Sequence, residues 1–214
     1  MIPLGDVTRR PTNFPVVTLS IIGINLVVFI LELMNGDAFV LKWSEVPADI
    51  ASGHNWITIL TSMFMHASWS HIIGNMVFLW AFGPEIEDAM GPPRYALFYL
   101  LGGLAASCGQ FAFDPHSTIP NLGASGAIAA VMGAFLVTYP RDEIRSLLFL
   151  GIFVRVTYVP AILLIGVWFL LQLFSAGAIV AGPTTASQSG GVAYLAHIGG
   201  IIFGMVFARL FEKS

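Results

Sequence analysis

The sequence predicts an all-α polytopic membrane protein, six transmembrane helices in one bundle with an embedded first outer loop. Six apolar stretches follow one another along 214 residues, of which 57% are hydrophobic. Only 10% are charged, where a soluble domain carries roughly a quarter, and mean hydropathy is +0.83. A soluble fold cannot hide that much apolar surface. The third observation is where the nine Lys and Arg residues fall. Arg9, Arg10, Arg94, Arg141, Arg145, Arg155, Arg209 and Lys213 lie at the amino terminus, in the second and fourth connections and at the carboxyl terminus, whereas Lys42 lies in the first connection. Six spans put all the former segments on one face, which the positive-inside rule makes cytoplasmic.

Met1 to Pro15 is polar and does not read as a cleavable leader, so the first apolar run, Phe14 to Met34, is expected to stay as an anchor. At ~20 residues per crossing, the remaining spans are Trp69 to Phe82, Tyr95 to Phe113, Leu122 to Tyr139, Val159 to Ala181 and Val192 to Phe211. The second is short; it extends either through Pro84 to Met90 or outward into Trp56 to Met65. The connection Asn35 to Ser68 is the longest, and its Trp43, Trp56 and Phe64-Met65 suit partial immersion at headgroup depth. No internal repeat, low-complexity tract or composition break divides residues 1–214, which reads as one domain. A single cysteine, Cys108, excludes an intramolecular disulfide and reads as a small buried hydrophobe. A net charge of −3 provides no basic field for nucleic acid.

Two polar residues inside the apolar stretches carry the chemistry. Ser125 sits in Gly123-Ala124-Ser125-Gly126 near the outer end of the fourth span, and His197 lies one to two turns into the sixth. At 1.5 Å rise per residue both fall at roughly 5 to 10 Å depth, the matching depth that one hydrogen bond between them requires. A serine hydroxyl is a poor nucleophile at neutral pH; a neutral imidazole within reach takes its proton and later returns it to the leaving amine. Every Asp and Glu lies in a terminus, a loop or near a span end, so a dyad is expected, its imidazole oriented by packing or a neighbouring hydroxyl. Gly123 and Gly126 let backbone approach a substrate carbonyl closely, and early-helix N–H groups are free to donate to an oxyanion. His71 and Asn75, spaced i, i+4, share one helix face near the outer end of the second span and add donors; His66, one turn further out, is a supporting candidate.

Each residue taken singly has an ordinary explanation. Ser125 amid Gly and Ala suits close helix packing, His197 suits a satisfied interhelical hydrogen bond, and His71 and Asn75 suit interhelical glue. Four of them at one depth on one side outweigh those explanations. Elsewhere the ordinary explanation stands: Glu32 is expected to snorkel, and Gln110 and Gln172 to make packing hydrogen bonds. Gly200 and Gly204 form a small-residue face expected to approach Gly126, Ala130 and Gly133 or Ala134 of the fourth span. His66 and His71 do not make a His-Glu-x-x-His pattern, and no metal or other cofactor is expected.

Together these motifs resemble the rhomboid family of intramembrane serine proteases in its compact bacterial or archaeal six-span form. His71-Ile72-Ile73-Gly74-Asn75 is similar to the family's His-x-x-x-Asn, Gly123-Ala124-Ser125-Gly126 to its Gly-x-Ser-x, and Ala196-His197-Ile198-Gly199-Gly200 to its Ala-His-x-x-Gly. Phe82-Gly83 through Glu87 and Gly91, and the opening Met1 to Arg10, are similar too. The resemblance implies Ser125 as nucleophile, His197 as general base, and His71, Asn75 and the Ser125 N–H as the oxyanion hole. It implies a fifth span and an outer loop, Ala181 to Gly190, that move to admit a substrate helix from the side. It further implies transmembrane protein substrates, a prokaryotic plasma membrane and a site opening outward. Where the family's first loop often carries Trp-Arg, Trp56 is followed by Ile57.

Deacylation needs water, so a polar cavity lined by His66, His71, Asn75, Ser125 and His197 is expected. A non-catalytic rhomboid-like binder of transmembrane helices is the alternative, disfavoured because serine and histidine are both intact. A transporter would show paired repeats and a carboxylate at the midplane, and neither is evident.

Overall fold

The computed structural model describes residues 1–151, 153–181 and 194–213. A strand, β1 (Ile2–Asp6), leads into α1 (Val16–Asn35); the short helices α2 (Asp37–Trp43), α3 (Pro47–Ala51) and α4 (Thr58–Thr61) and a 3-10 turn, Ser62–Phe64, form the long connection. α5 (Trp69–Met90), α6 (Pro92–Phe113) and α7 (Ser125–Thr138) follow, then β2 (Glu143–Leu150), β3 (Phe153–Pro160), α8 (Ala161–Ala181) and α9 (Tyr194–Phe211). Three of these helices, α1, α6 and α9, are long and apolar enough to cross a membrane; α7 and residues 161–177 of α8 form shorter apolar helices. α5 has the length, 22 residues, but its second half carries Glu85, Glu87 and Asp88. It takes the inward extension, running through Pro84 to Met90 although proline offers the Trp80 carbonyl no N–H.

The expectation of an all-α fold needs correction. β1, β2 and β3 form an antiparallel sheet in that order, with Ile2 opposite Leu147 and Glu143 opposite Pro160. The pattern is half-buried strand: Ile144 and Ser146 are buried while Glu143 and Arg145 are exposed. Gly151, at φ 62, lies in the turn between β2 and β3, where a residue without a β-carbon takes that backbone at no steric cost. β-branched Val154, Val156, Thr157 and Val159 then favour β3 over an early start to the fifth helix.

α7 is the axis of the bundle, with every residue from Gly126 to Phe135 buried. Its small side chains allow backbone-to-backbone approach. A β-carbon on Gly200 or Gly204 of α9 would fall on the carbonyl oxygens of Gly126 and Ala130 of α7, and one on Gly133 on that of Ile201. Cys108, expected inside, is exposed on the outer surface of α6.

One end of the bundle gathers the chain's basic segments. Arg9 meets Asp142 at 3.1 Å, the Lys213 N–H donates to Ala89 O at 2.9 Å, and Arg94 donates to Glu212 O at 2.8 Å. Glu87, buried on α5, caps α1 there, accepting from the Val17 and Thr18 N–H groups at 2.8 and 2.7 Å. At the other end Glu45 and Asn121 exchange backbone bonds at 3.0 and 2.7 Å, tying the long first connection to the entry of α7.

Candidate active site

The tie at Glu45 and Asn121 sets where α7 starts. Gly123, whose N–H donates to Ser62 O at 2.9 Å, turns the chain at φ 138, a conformation L side chains rarely adopt. The helix therefore opens at Ser125 itself, three residues later than the span read from hydropathy. Intrahelical bonding begins with Ile128 N to Ala124 O at 3.0 Å, so the N–H groups of Ser125, Gly126 and Ala127 have no intrahelical acceptor. The half-buried Ser125 hydroxyl thus lies at a helix N-terminus, where the dipole and free donors favour negative charge.

α9, seated against α7 through Gly200 and Gly204, carries His197 to this point. Its Nε2 lies 2.7 Å from Ser125 Oγ, across 72 residues of sequence. The ring is buried, with 5% of its surface exposed. Its Nδ1 lies 2.7 Å from Oε1 of Gln172 on α8, also buried. Trp168, one turn earlier on α8, packs against the imidazole with ring centroids 5.4 Å apart. The polar group beside Nδ1 is thus a carboxamide, in addition to the packing that the sequence suggested. The sequence led to a packing hydrogen bond for Gln172, and the structure gives that bond a partner, His197; a carboxamide inside an otherwise apolar helix, one turn from a tryptophan, was the available signal.

His71 stands against Gly123: a β-carbon there would meet its Cε1 at 2.9 Å and Nε2 at 3.0 Å, with Ser125 Oγ 3.6 Å away. Gly123 is thus required by its backbone angle and by the imidazole beside it. Asn75, one turn along α5, is buried and donates from Nδ2 to Nε2 of His66 at 2.8 Å, which leaves the second hydrogen of that amide for another acceptor. His66 is held in turn by Glu32, whose two carboxylate oxygens accept from its N–H at 3.1 Å each. Glu32 does not snorkel; it is buried, because the broken backbone at His66 offers it a donor. Burial, with a smaller effect of the adjacent His71, lowers the His66 pKa to about 3, so that ring stays neutral at physiological pH.

A cavity of about 50 Å³ opens beside Ser125, large enough for ordered water. It is lined by Glu45, Ser107, Gln110, Asn121, Gly123 and Ser125. His66, His71, Asn75 and His197, which the sequence led one to expect around a polar cavity, are not among the residues lining this one. Ser107 donates to Glu45 at 2.6 Å, and burial pushes the Glu45 carboxyl above the usual carboxylate range. Among the described residues, no group of three or more His, Cys, Asp or Glu is arranged to hold a metal. The outer loop expected at Ala181 to Gly190 lies, beyond Ala181, outside the described residues.

Comparison with known proteins bears on this geometry. A family model described as the Rhomboid domain matches residues 53–214. The chain belongs to the rhomboid family. This rhomboid family member is 32% identical over 127 residues to Rhomboid protease GluP of Bacillus subtilis, a match covering 57% of the chain and 24% of that protein. It is 30% identical over 200 residues to Rhomboid protein 1, mitochondrial, of Saccharomyces cerevisiae, covering 91% of the chain and 53% of the relative. With Rhomboid protease GlpG of Yersinia pestis it shares 26% identity over 131 residues, 61% of the chain and 46% of the relative. The rhomboid chain thus spans about half the length of two of these relatives and a quarter of the third.

Proposed function

We propose that this protein is an intramembrane serine endopeptidase that cleaves single-span membrane proteins near the outer membrane boundary. The observation that carries the reading is the 2.7 Å contact between Ser125 Oγ and His197 Nε2 at the free N-terminus of α7. His197 Nε2 takes the hydroxyl proton as Oγ attacks the scissile carbonyl carbon. The oxyanion is met by the Ser125 N–H, His71 and Asn75. Nε2 then gives its proton to the leaving amine, and the acyl-enzyme is hydrolysed by water entering from the cavity beside Ser125. A substrate helix has to unwind locally before its carbonyl is accessible, so helix-breaking or small residues near the cut are expected.

Six crossings with both termini cytoplasmic belong to the same reading. It is supported by the Arg9–Asp142, Arg94–Glu212 and Lys213–Ala89 contacts, which join the amino terminus, the second and fourth connections and the carboxyl terminus at one end of the bundle. The site lies at the opposite end, facing outward. The alternative, a non-catalytic binder of transmembrane helices, has no use for a serine and histidine in hydrogen-bond contact. The test is incubation of detergent-purified protein with a fluorescent transmembrane peptide, beside Ser125→Ala and His197→Ala. Cleavage lost in both variants is the expected result; equal turnover in all three proteins would move the assignment to the binder.

A further inference from the structure

We propose that Gln172 is the third member of this constellation: a positioning residue on α8 whose carboxamide oxygen holds the Nδ1–H of His197 and so keeps Nε2 free to take the Ser125 proton. The inference rests on the serine–histidine reading above and adds to it what sets the tautomer of the base.

A neutral imidazole carries one N–H. For His197 to act as a base toward Ser125, that hydrogen has to sit on Nδ1, where an unpaired donor in an apolar interior is costly. Gln172 Oε1 lies 2.7 Å from Nδ1, while Nε2 faces Ser125 Oγ at the same distance. With the amide reversed, its NH₂ would face the Nδ1 lone pair, the ring hydrogen would move to Nε2, and Nε2 would donate to the serine. Only the first arrangement makes a base. The geometry of the helix agrees: Leu170, Leu171, Leu173 and Phe174 around Gln172 are 41–75% exposed, whereas Gln172 is 9% exposed and turned inward with Trp168. α8 therefore contacts the imidazole through both Gln172 and the tilted Trp168 ring, while α9 supplies it.

The choice of an amide follows from the solvent. A carboxylate at this position would orient the ring equally well but would have to be buried ionised among apolar helices. A carboxamide offers the same acceptor as a dipole. During attack the serine proton moves to Nε2, both ring nitrogens are then protonated, and the Nδ1–H stays on Gln172 Oε1. Nε2–H next protonates the leaving amine. Gln172 gains and loses no proton in the cycle.

The experiment compares wild type, Gln172→Leu and Gln172→Glu in transmembrane-peptide cleavage from pH 5 to 9, with fluorophosphonate labelling of Ser125 and thermal unfolding on the same samples. Gln172→Leu removes the acceptor and is expected to lower kcat and the labelling rate by about 10- to 100-fold with KM little changed, the loss of one hydrogen bond to a group that becomes charged. Gln172→Glu restores an acceptor: labelling recovers toward wild type, and the acidic limb of the kcat/KM profile moves to higher pH, because an adjacent carboxylate favours the imidazolium. A purely structural role would lower the unfolding midpoint in both variants without moving that limb. Full activity in Gln172→Leu overturns the proposal, as does Gln172→Glu being as slow as Gln172→Leu with an unshifted limb. These outcomes are separate from failure of the protease reading, in which wild type and Ser125→Ala would already be alike.

Discussion

Replacing Gly200 with alanine tests whether the α7–α9 contact positions the candidate dyad. The added methyl would meet the Gly126 carbonyl carbon at 3.1 Å and the Ala129 β-carbon at 3.2 Å, and would fall on the Gly126 carbonyl oxygen itself. Ordinary contact begins near 3.4 Å, so the two helices have to separate by more than about 1 Å at this level, and misplacement of that size costs about 100-fold in rate. Gly126 follows Ser125 directly, and Gly200 lies one turn from His197. A Ser125–His197 separation of 2.7 Å then stretches toward or beyond the limit of a hydrogen bond. Overpacking also destabilises by about 1 to 3 kcal/mol, which leaves a folded protein to assay. Peptide cleavage and fluorophosphonate labelling are to be measured beside Gly166→Ala on α8, where nothing lies within 4 Å of the added carbon. A hundredfold loss in Gly200→Ala with Gly166→Ala unchanged is expected. Wild-type turnover in Gly200→Ala would refute the claim that this contact sets the dyad.

His71→Ala and Asn75→Ala should each raise the barrier by about 3 kcal/mol if they donate to the oxyanion, read as a drop in kcat of about 100-fold in single-turnover assays with KM nearly constant. Glu87→Ala removes the cap that satisfies Val17 and Thr18; a loss of about 1 to 2 kcal/mol in detergent unfolding is expected, with Ser125 labelling preserved in the folded fraction. Acid should destabilise the protein partly through His66. Its folded pKa of about 3 lies below the ordinary 6.5, so the unfolded chain alone binds that proton between those values and stability falls as pH drops through the window. His66 is faced there by His71, Asn75 and Glu32. His66→Gln should flatten the fall of unfolding midpoint between pH 7 and 4; an unchanged slope would count against it.

What could be read in advance follows the physics of each signal. The helices now seen at α1, α6 and α9 were legible because long apolar runs have few alternative uses. The positions of Ser125, His197, His71 and Asn75 stood out because polar residues in such runs are costly and these four recur at one depth. The sheet was not anticipated: β1 pairs with β2 across about 140 residues, a partner no local pattern announces, and Arg145 and Arg155 were read for their charge and not for the period-2 pattern around them. The start of α7 was missed because hydropathy runs smoothly through Leu122, whereas a backbone turn at Gly123 sets the boundary. Glu32 was misjudged, and the partner of Gln172 not foreseen, for a shared reason. The value of a buried polar group lies in its partner, and the partners, His197 Nδ1 and the His66 N–H, are 25 and 34 residues away.

In the proposed mechanism His197 makes the Ser125 hydroxyl nucleophilic. The direct measurement is mass spectrometry of the protein after reaction with a fluorophosphonate at neutral pH, mapping the adduct to its residue in wild type, Ser125→Ala and His197→Ala. One adduct, on Ser125, is expected in wild type alone. Modification of a different residue, or labelling of Ser125 that proceeds as fast without His197 as with it, would contradict it.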